Sequence, residues 1–170
     1  RIFGGEVLLR QHLDHGLFGW IAYTLLRSER RYLDEDPVRW RLAPLDQTHI
    51  LSVALSYQLP WGFEVGGAVR YVSGNPQTLA IGGIYDADRS RYLSVSGPPL
   101  GGRLPGFFQL DLRVDKRFVF DTWALGLFLD LQNATNHTNY EFYTYNYDYS
   151  ETEGFPGLPI LPVFGLEASF

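Results

Sequence analysis

Charged side chains that alternate with apolar ones are the residues with the most chemistry to offer in this sequence. In the segment 108–117, Asp111, Arg113 and Asp115 occupy every second position. Such a row could guide a solute along a wet surface, or its members could neutralise one another across adjacent strands, the more frequent role for any one residue. The charged candidates are Glu6, Arg10, Glu64, Arg70, Asp111, Arg113, Asp115, Arg117, Asp130 and Glu167.

An aromatic tract at residues 140–149 is the second candidate site. It contains Tyr143 and Tyr145, whose rings could stack on a planar or sugar-like ligand. Packing within a hairpin, or a position at a membrane interface, explains the same tract equally well.

Metal binding and catalysis find little support. The segment 12–15 contains two histidines and an aspartate, but neither it nor His49 belongs to a zinc signature, and a solvated turn is favoured. Asp86 and Asp88, like the acidic residues 34–36, fit a solvated loop better than a cation site. No serine-nucleophile elbow or phosphate-binding loop is found. We expect no catalytic residue, metal or cofactor.

The composition narrows the protein class. The chain has 170 residues, of which 45% are hydrophobic and 16% aromatic, a net charge of −5, and neither Cys nor Met. These values exclude disorder, a disulfide framework and a cysteine nucleophile. The mild acidity argues against a nucleic-acid partner. The length predicts one domain, residues 1–170.

Period-2 alternation predicts an all-β, antiparallel fold, because successive side chains of a strand point to opposite faces. Short connections near residues 13–16, 60–62 and 120–122 alternate with long ones near 31–47, 74–105 and 134–158. The long connections are rich in Gly, Pro, Asn and Asp and are interpreted as loops. About seven strands are predicted, near residues 2–12, 18–30, 48–59, 63–73, 106–118, 122–133 with an extension through 138–147 left open, and 159–170.

Three features favour a transmembrane β-barrel over a soluble sandwich or a lipocalin-like barrel. The strands have the length that a tilted strand needs to cross the hydrocarbon core. One face is apolar, whereas the other carries the small and ionic residues typical of a wet lumen. Aromatic residues concentrate near strand ends, as in interface girdles.

The strand count predicts an incomplete barrel. Seven antiparallel strands begin and end in the same direction, whereas bacterial outer-membrane barrels usually have an even number of strands. An open sheet would leave unpaired edges in lipid. The chain also starts without Met, inside a patterned segment. We therefore expect the chain to be the end of a larger barrel or a processed product.

Several segments resemble the C-terminal barrel region of TonB-dependent receptors, the outer-membrane transporters of Gram-negative bacteria. Residues 19–28 (GWIAYTLLRS) are similar to one of that family's strands, and residues 70–76 (RYVSGNP) are similar to a strand exit. Residues 110–118 (LDLRVDKRF) and 129–136 (LDLQNATN) also match family patterns, and the chain closes on an apolar alternation that ends at Phe170.

The resemblance implies the last third of a 22-stranded barrel whose lumen holds a plug domain. It implies energised uptake of a ferric siderophore, cobalamin, oligosaccharide or peptide across the cell outer membrane. The implied partners are outer-membrane lipid, the remaining strands, the plug, TonB through a missing N-terminal part, and the barrel assembly machinery through Phe170. Two alternatives stay open: a passive or oligomeric pore subunit, and a soluble β-barrel that binds a ligand.

Overall fold

The structure is a computed structural model that describes residues 1–31 and 39–170. The acidic residues 34–36 therefore lie outside the described residues. A short 3-10 turn, Pro60–Gly62, joins the strand His49–Leu59 to the strand Phe63–Val72. The strands are β1 Ile2–Asp14, β2 Leu17–Arg30, β3 Arg41–Leu42, β4 His49–Leu59, β5 Phe63–Val72, β6 Pro76–Gln77, β7 Ala80–Asp86, β8 Arg91–Ser96, β9 Gly102–Arg103, β10 Phe107–Val119, β11 Ala124–Gln132, β12 Tyr140–Tyr145, β13 Thr152–Pro156 and β14 Leu161–Ser169.

The seven long strands form one antiparallel sheet in the order β1-β2-β4-β5-β10-β11-β14, with the short β3 added beside β2. The all-β prediction is confirmed, and the observed ends of these strands agree with the predicted ones to within two residues. No helix in the described part of the chain is long and apolar enough to cross a membrane.

The register of the sheet separates the alternating residues into two faces. Residues directly opposite each other on neighbouring strands share a face. One continuous row runs Leu9, Ile21, Val53, Val69 and Leu110 across five strands, and it is wholly apolar. The opposite side of the sheet, called the charged face below, contains the predicted ionic residues of β5, β10 and β11.

The turn between β1 and β2 depends on local backbone conformation. Asp14 pairs with Leu17, which leaves the two-residue loop His15–Gly16 with φ of 49° and 82°. Two consecutive positive φ angles match the turn that suits strand twist in a hairpin, and glycine adopts the second without strain. A solvated turn was predicted here, and His15 is indeed fully open to solvent, although the preceding residues 12–14 belong to β1.

The structure corrects the interpretation of the long connections as plain loops. They contain three antiparallel ribbons: β6 with β9, β7 with β8, and β12 with β13. The extension of the sixth strand through 138–147 is also wrong, because β11 ends at Gln132 and β12 belongs to a separate ribbon. Asn133 and Asn136 both have φ of 49°, a left-handed conformation that interrupts the strand.

Near the start of β10, the side chain of Asn139 takes the place of a neighbouring strand. The Asn139 side chain accepts a hydrogen bond from the Phe108 N–H and donates one to the Phe108 carbonyl, each 2.8 Å long. The backbone N–H of Ala134 donates to the Leu110 carbonyl at 2.7 Å. The segment after β11 therefore continues the hydrogen bonding of the sheet without being a strand.

Replacing Asn139 with alanine is expected to lower the free energy of unfolding by about 1–3 kcal/mol, because the backbone N–H and carbonyl of Phe108 lose the hydrogen bonds that the buried Asn139 amide makes with them. Equilibrium urea unfolding measures the change. Thr138→Ala, at the exposed neighbouring residue, is the control and should change stability by less than about 0.5 kcal/mol. Equal losses in the two variants would contradict this role of the amide.

Candidate functional site

Arg113 lies at the centre of the charged face. Its guanidinium donates two hydrogen bonds of 2.8 Å to the carboxylate of Asp115, two residues along β10. The same group lies 4.1 Å from the ring centre of Phe128, and Asp130 is its register partner on β11. The predicted candidates Arg113 and Asp130 are thus brought together, and Arg113 is held in place by a neighbouring acid.

Glu64 is the register partner of Asp115, so two carboxylates face each other across β5 and β10. Like charges in this arrangement repel, and the cation of Arg113 beside them offsets the repulsion. A depression of about 500 Å³ lies on the charged face near the turn Pro60–Gly62, and its walls include Glu64, Arg113 and Asp115. It offers a wet, charged surface of mixed sign.

Asp111 has a structural role. Its carboxylate accepts two hydrogen bonds from the Gln109 side-chain amide, at 2.8 and 3.0 Å, and one from the backbone N–H of Asn133 at 2.8 Å. These bonds attach the end of β11 to β10. The interpretation of the charged residues as a structural network fits this candidate well.

Arg70 lies apart from these residues, at the long-loop end of the charged face. Its register partners are the neutral residues Ser52 and Gln109. Its guanidinium carbon lies 5.8 Å from the ring centre of Phe107, and both residues line a cavity of about 360 Å³.

The two tyrosine candidates lie in the ribbon formed by β12 and β13. The Tyr145 hydroxyl accepts a hydrogen bond of 3.0 Å from the Ala80 N–H, and Tyr147 packs edge-on against Tyr92 at 5.7 Å. These contacts join the β12–β13 ribbon to the β7–β8 ribbon. Packing of the hairpin, one of the two interpretations set against stacking on a ligand, therefore accounts for Tyr145. Tyr143 makes no comparable contact with the residues that the structure describes.

Asp46 and Arg103 form a buried ion pair that sequence reasoning missed. Asp46 is fully buried and accepts hydrogen bonds from Arg103 Nη2 at 2.5 Å and from the Ser28 N–H at 2.6 Å. Arg103 also donates to the Gly74 carbonyl at 2.8 Å, so the pair joins two long connections and β2 at one end of the sheet. Burial opposes ionisation, but the hydrogen bonds from Ser28, Arg103 and Thr48 outweigh it and lower the pKa of Asp46.

The histidines do not converge on a metal site. His15 lies 2.8 Å from Asp14 in the first turn, whereas His49 begins β4 at the opposite end of the sheet and is hydrogen bonded to the Tyr23 hydroxyl at 2.8 Å. Within residues 1–31 and 39–170, no group of three or more histidine and acidic residues could hold a metal ion.

The sheet of long antiparallel strands, with one apolar and one charged face, has a counterpart among solved structures, and the likeness is one of fold. The chain is similar to FpvA of P. aeruginosa, in a structure of FpvA bound to heterologous pyoverdines, with a TM-score of 0.59 and 19% sequence identity. The match covers 97% of this chain and 19% of the FpvA chain, so the likeness concerns a small part of that protein. No protein-family model matches the sequence, and no curated protein does.

Proposed function

We propose that this chain is the C-terminal part of the barrel of a TonB-dependent receptor, which takes up a scarce large solute across the outer membrane of a Gram-negative bacterium. Its role is transport rather than catalysis: the charged face lines the lumen, and the long connections form the outer mouth. The FpvA-like fold supports this proposal. A ferric siderophore is one member of the proposed solute class, together with cobalamin, oligosaccharides and peptides.

The observation that carries the proposal is the uncovered apolar face. Leu55, Leu112 and Phe164 on this face are 49%, 45% and 76% exposed, and apart from Gly19 and Pro76 the only buried apolar residues in the described part of the chain are Ala43, Val72 and Leu104. A water-soluble domain buries such a surface, since exposed apolar patches of this extent mark an interaction with another protein or a membrane. An apolar face that extends along whole strands is the surface that lipid covers in an outer-membrane barrel.

The edges of the sheet support a larger barrel over a ring of identical copies. Within the described residues, neither β1 nor β14 pairs on its outer side, and the two run in the same direction because they are separated by five antiparallel strands. Identical copies inserted in one orientation would need a parallel β1–β14 seam. Closure by an odd number of further strands keeps every pair antiparallel, as outer-membrane barrels do.

The proposed partners follow from this placement. The remaining barrel strands would pair with β1 and β14, a plug would contact the charged face, and TonB would act through the plug-bearing part. The ring of Phe170 stacks on Trp123 with 6.3 Å between the ring centres. Phe170 is nevertheless fully exposed, so it is accessible to the barrel assembly machinery.

The intact mass of the mature protein from native outer membranes tests the proposal. An antibody against the C-terminal tail should recover a species several times heavier than 19.4 kDa under fully denaturing conditions, because the seven strands need the rest of a barrel. A denatured species of 19.4 kDa would contradict the proposal and favour a split or oligomeric barrel. Recovery from the soluble fraction would favour a soluble binding module.

A further inference from the structure

We propose that the cavity at the long-loop end of the charged face binds a carboxylate group attached to a flat or apolar body, and that Arg70 is the residue that recognises it. The inference rests on the proposed function in one respect: the cavity lies on a transport path only if the charged face lines a lumen. Binding itself does not depend on transport and is measured separately.

The cavity has the size and composition of a small-molecule site. Its volume of about 360 Å³ lies within the range of ligand pockets, which start near 300 Å³. Its apolar wall includes Leu104, Pro105 and Phe107, whereas Gln47 and Asn75 contribute polar groups. Apolar groups hold the body of a ligand, and the polar side chains, which also include Arg70, Ser73 and Glu141, fix its orientation.

Arg70 forms no ion pair within the described part of the chain. Asp111, the acidic residue one step away on the same face, already accepts three hydrogen bonds from Gln109 and Asn133. Arg113 differs, because it is fully engaged by Asp115. The fork of N–H donors on Arg70 therefore remains available for a bidentate carboxylate.

The surroundings of Arg70 favour a flat ligand. Its guanidinium carbon lies 5.8 Å from the centre of the Phe107 ring, which supports the cation from one side. Tyr140 and Glu141 also line the cavity, and Glu141 is exposed. The carboxylate of Glu141 repels an anionic group, so the charged end of the ligand is directed toward Arg70 and its apolar body toward Leu104 and Pro105.

Arg10 provides a matched control on the same face. Its guanidinium carbon lies 5.8 Å from the ring centre of Phe18, the same separation as between Arg70 and Phe107, and it also forms no ion pair with a described carboxylate. Arg10 does not line the cavity. The two arginines are thus matched in these contacts, and of the two only Arg70 lines this cavity.

The test measures binding of benzoate, benzamide and acetate to the full-length protein in detergent, by isothermal titration and saturation-transfer NMR. Benzamide has the shape of benzoate without its charge, and acetate has the charge without the ring. We expect benzoate to bind more tightly than either. Arg70→Gln should weaken benzoate binding at least about ten-fold, because a charge-assisted bidentate contact is lost, whereas Arg10→Gln should change it less than about two-fold.

Equal binding of benzoate and benzamide to the unmodified protein would overturn the proposal without any variant. An equal loss in Arg70→Gln and Arg10→Gln would overturn it too. Arg70→Lys covers the case in which Arg70→Gln does not fold, because it keeps the charge but not the planar fork and should retain only part of the affinity. These results are independent of the intact mass, so a failure here is distinct from a failure of the proposed transport role.

Discussion

Leu112→Arg is expected to block insertion of the protein into a bilayer, at a cost of about 2–4 kcal/mol for a cation on the lipid face at the membrane midplane. Leu112 lies in β10 between its register partners Gly67 and Leu131, and its side chain is 45% exposed on the apolar face. No acidic residue occupies that row of the sheet, so the new charge would find no partner. Outer-membrane fractionation, together with heat-modified mobility on gels, measures the inserted fraction.

The matched control is the next residue of the same strand. Arg113→Leu places an apolar side chain on the charged face, where Arg113 now pairs with Asp115. The Asp115 side chain is 39% exposed, so water can solvate the carboxylate that loses its partner, and the cost should stay near 0–1 kcal/mol. Insertion should therefore be nearly normal. Equal defects in the two variants would mean that the faces of the sheet are assigned wrongly.

Asp46→Ala is expected to lower the free energy of unfolding by about 2–3 kcal/mol, since it removes the fully buried carboxylate that pairs with Arg103. The expected loss of stability is smaller than for a fully buried ion pair because the Arg103 side chain is 31% exposed and partly solvated. The substitution also leaves the Ser28 N–H without its acceptor. Asp86→Ala, which breaks an ion pair of 3.1 Å with the exposed Arg89, is the control and should cost under about 1 kcal/mol.

The same carboxyl group predicts a pH dependence. The pKa of Asp46 in the folded protein is lowered from its ordinary value of 3.8, so the folded state holds its proton less tightly than the unfolded state does. The stabilisation is therefore complete above pH 3.8 and is lost as the pH falls through the lowered value. Asp46→Asn should reduce the acid sensitivity of unfolding at low pH. Urea unfolding at a series of pH values checks this, and an unchanged pH profile would contradict it.

Strand positions and faces could be predicted from the sequence because they depend on local information. Side chains in a strand alternate between two faces whatever the strand pairs with, so a row such as Leu110, Leu112 and Val114 identifies both the strand and its apolar side. The first turn could be placed near residues 13–16 for a similar reason, since Asp14 and Gly16 are of types that tight turns favour, and the structure narrows the loop to His15–Gly16. The all-β class and the seven long strands were therefore accessible before any coordinates.

Partnerships between distant residues were decided only by the tertiary structure. Asp46 and Arg103 are 57 positions apart, and Asn139 contacts Phe108 across 31, so no local period links either pair. The same holds for the ribbons inside the long connections, whose short strands carry too few alternating residues to be distinguished from loops. Charge and alternation place Arg113 beside Asp115 on one strand, but only the packing of the loops decides that Arg70 lines a cavity. Alternation is a property of one strand, whereas ion pairing and cavities depend on which strands and loops are brought together.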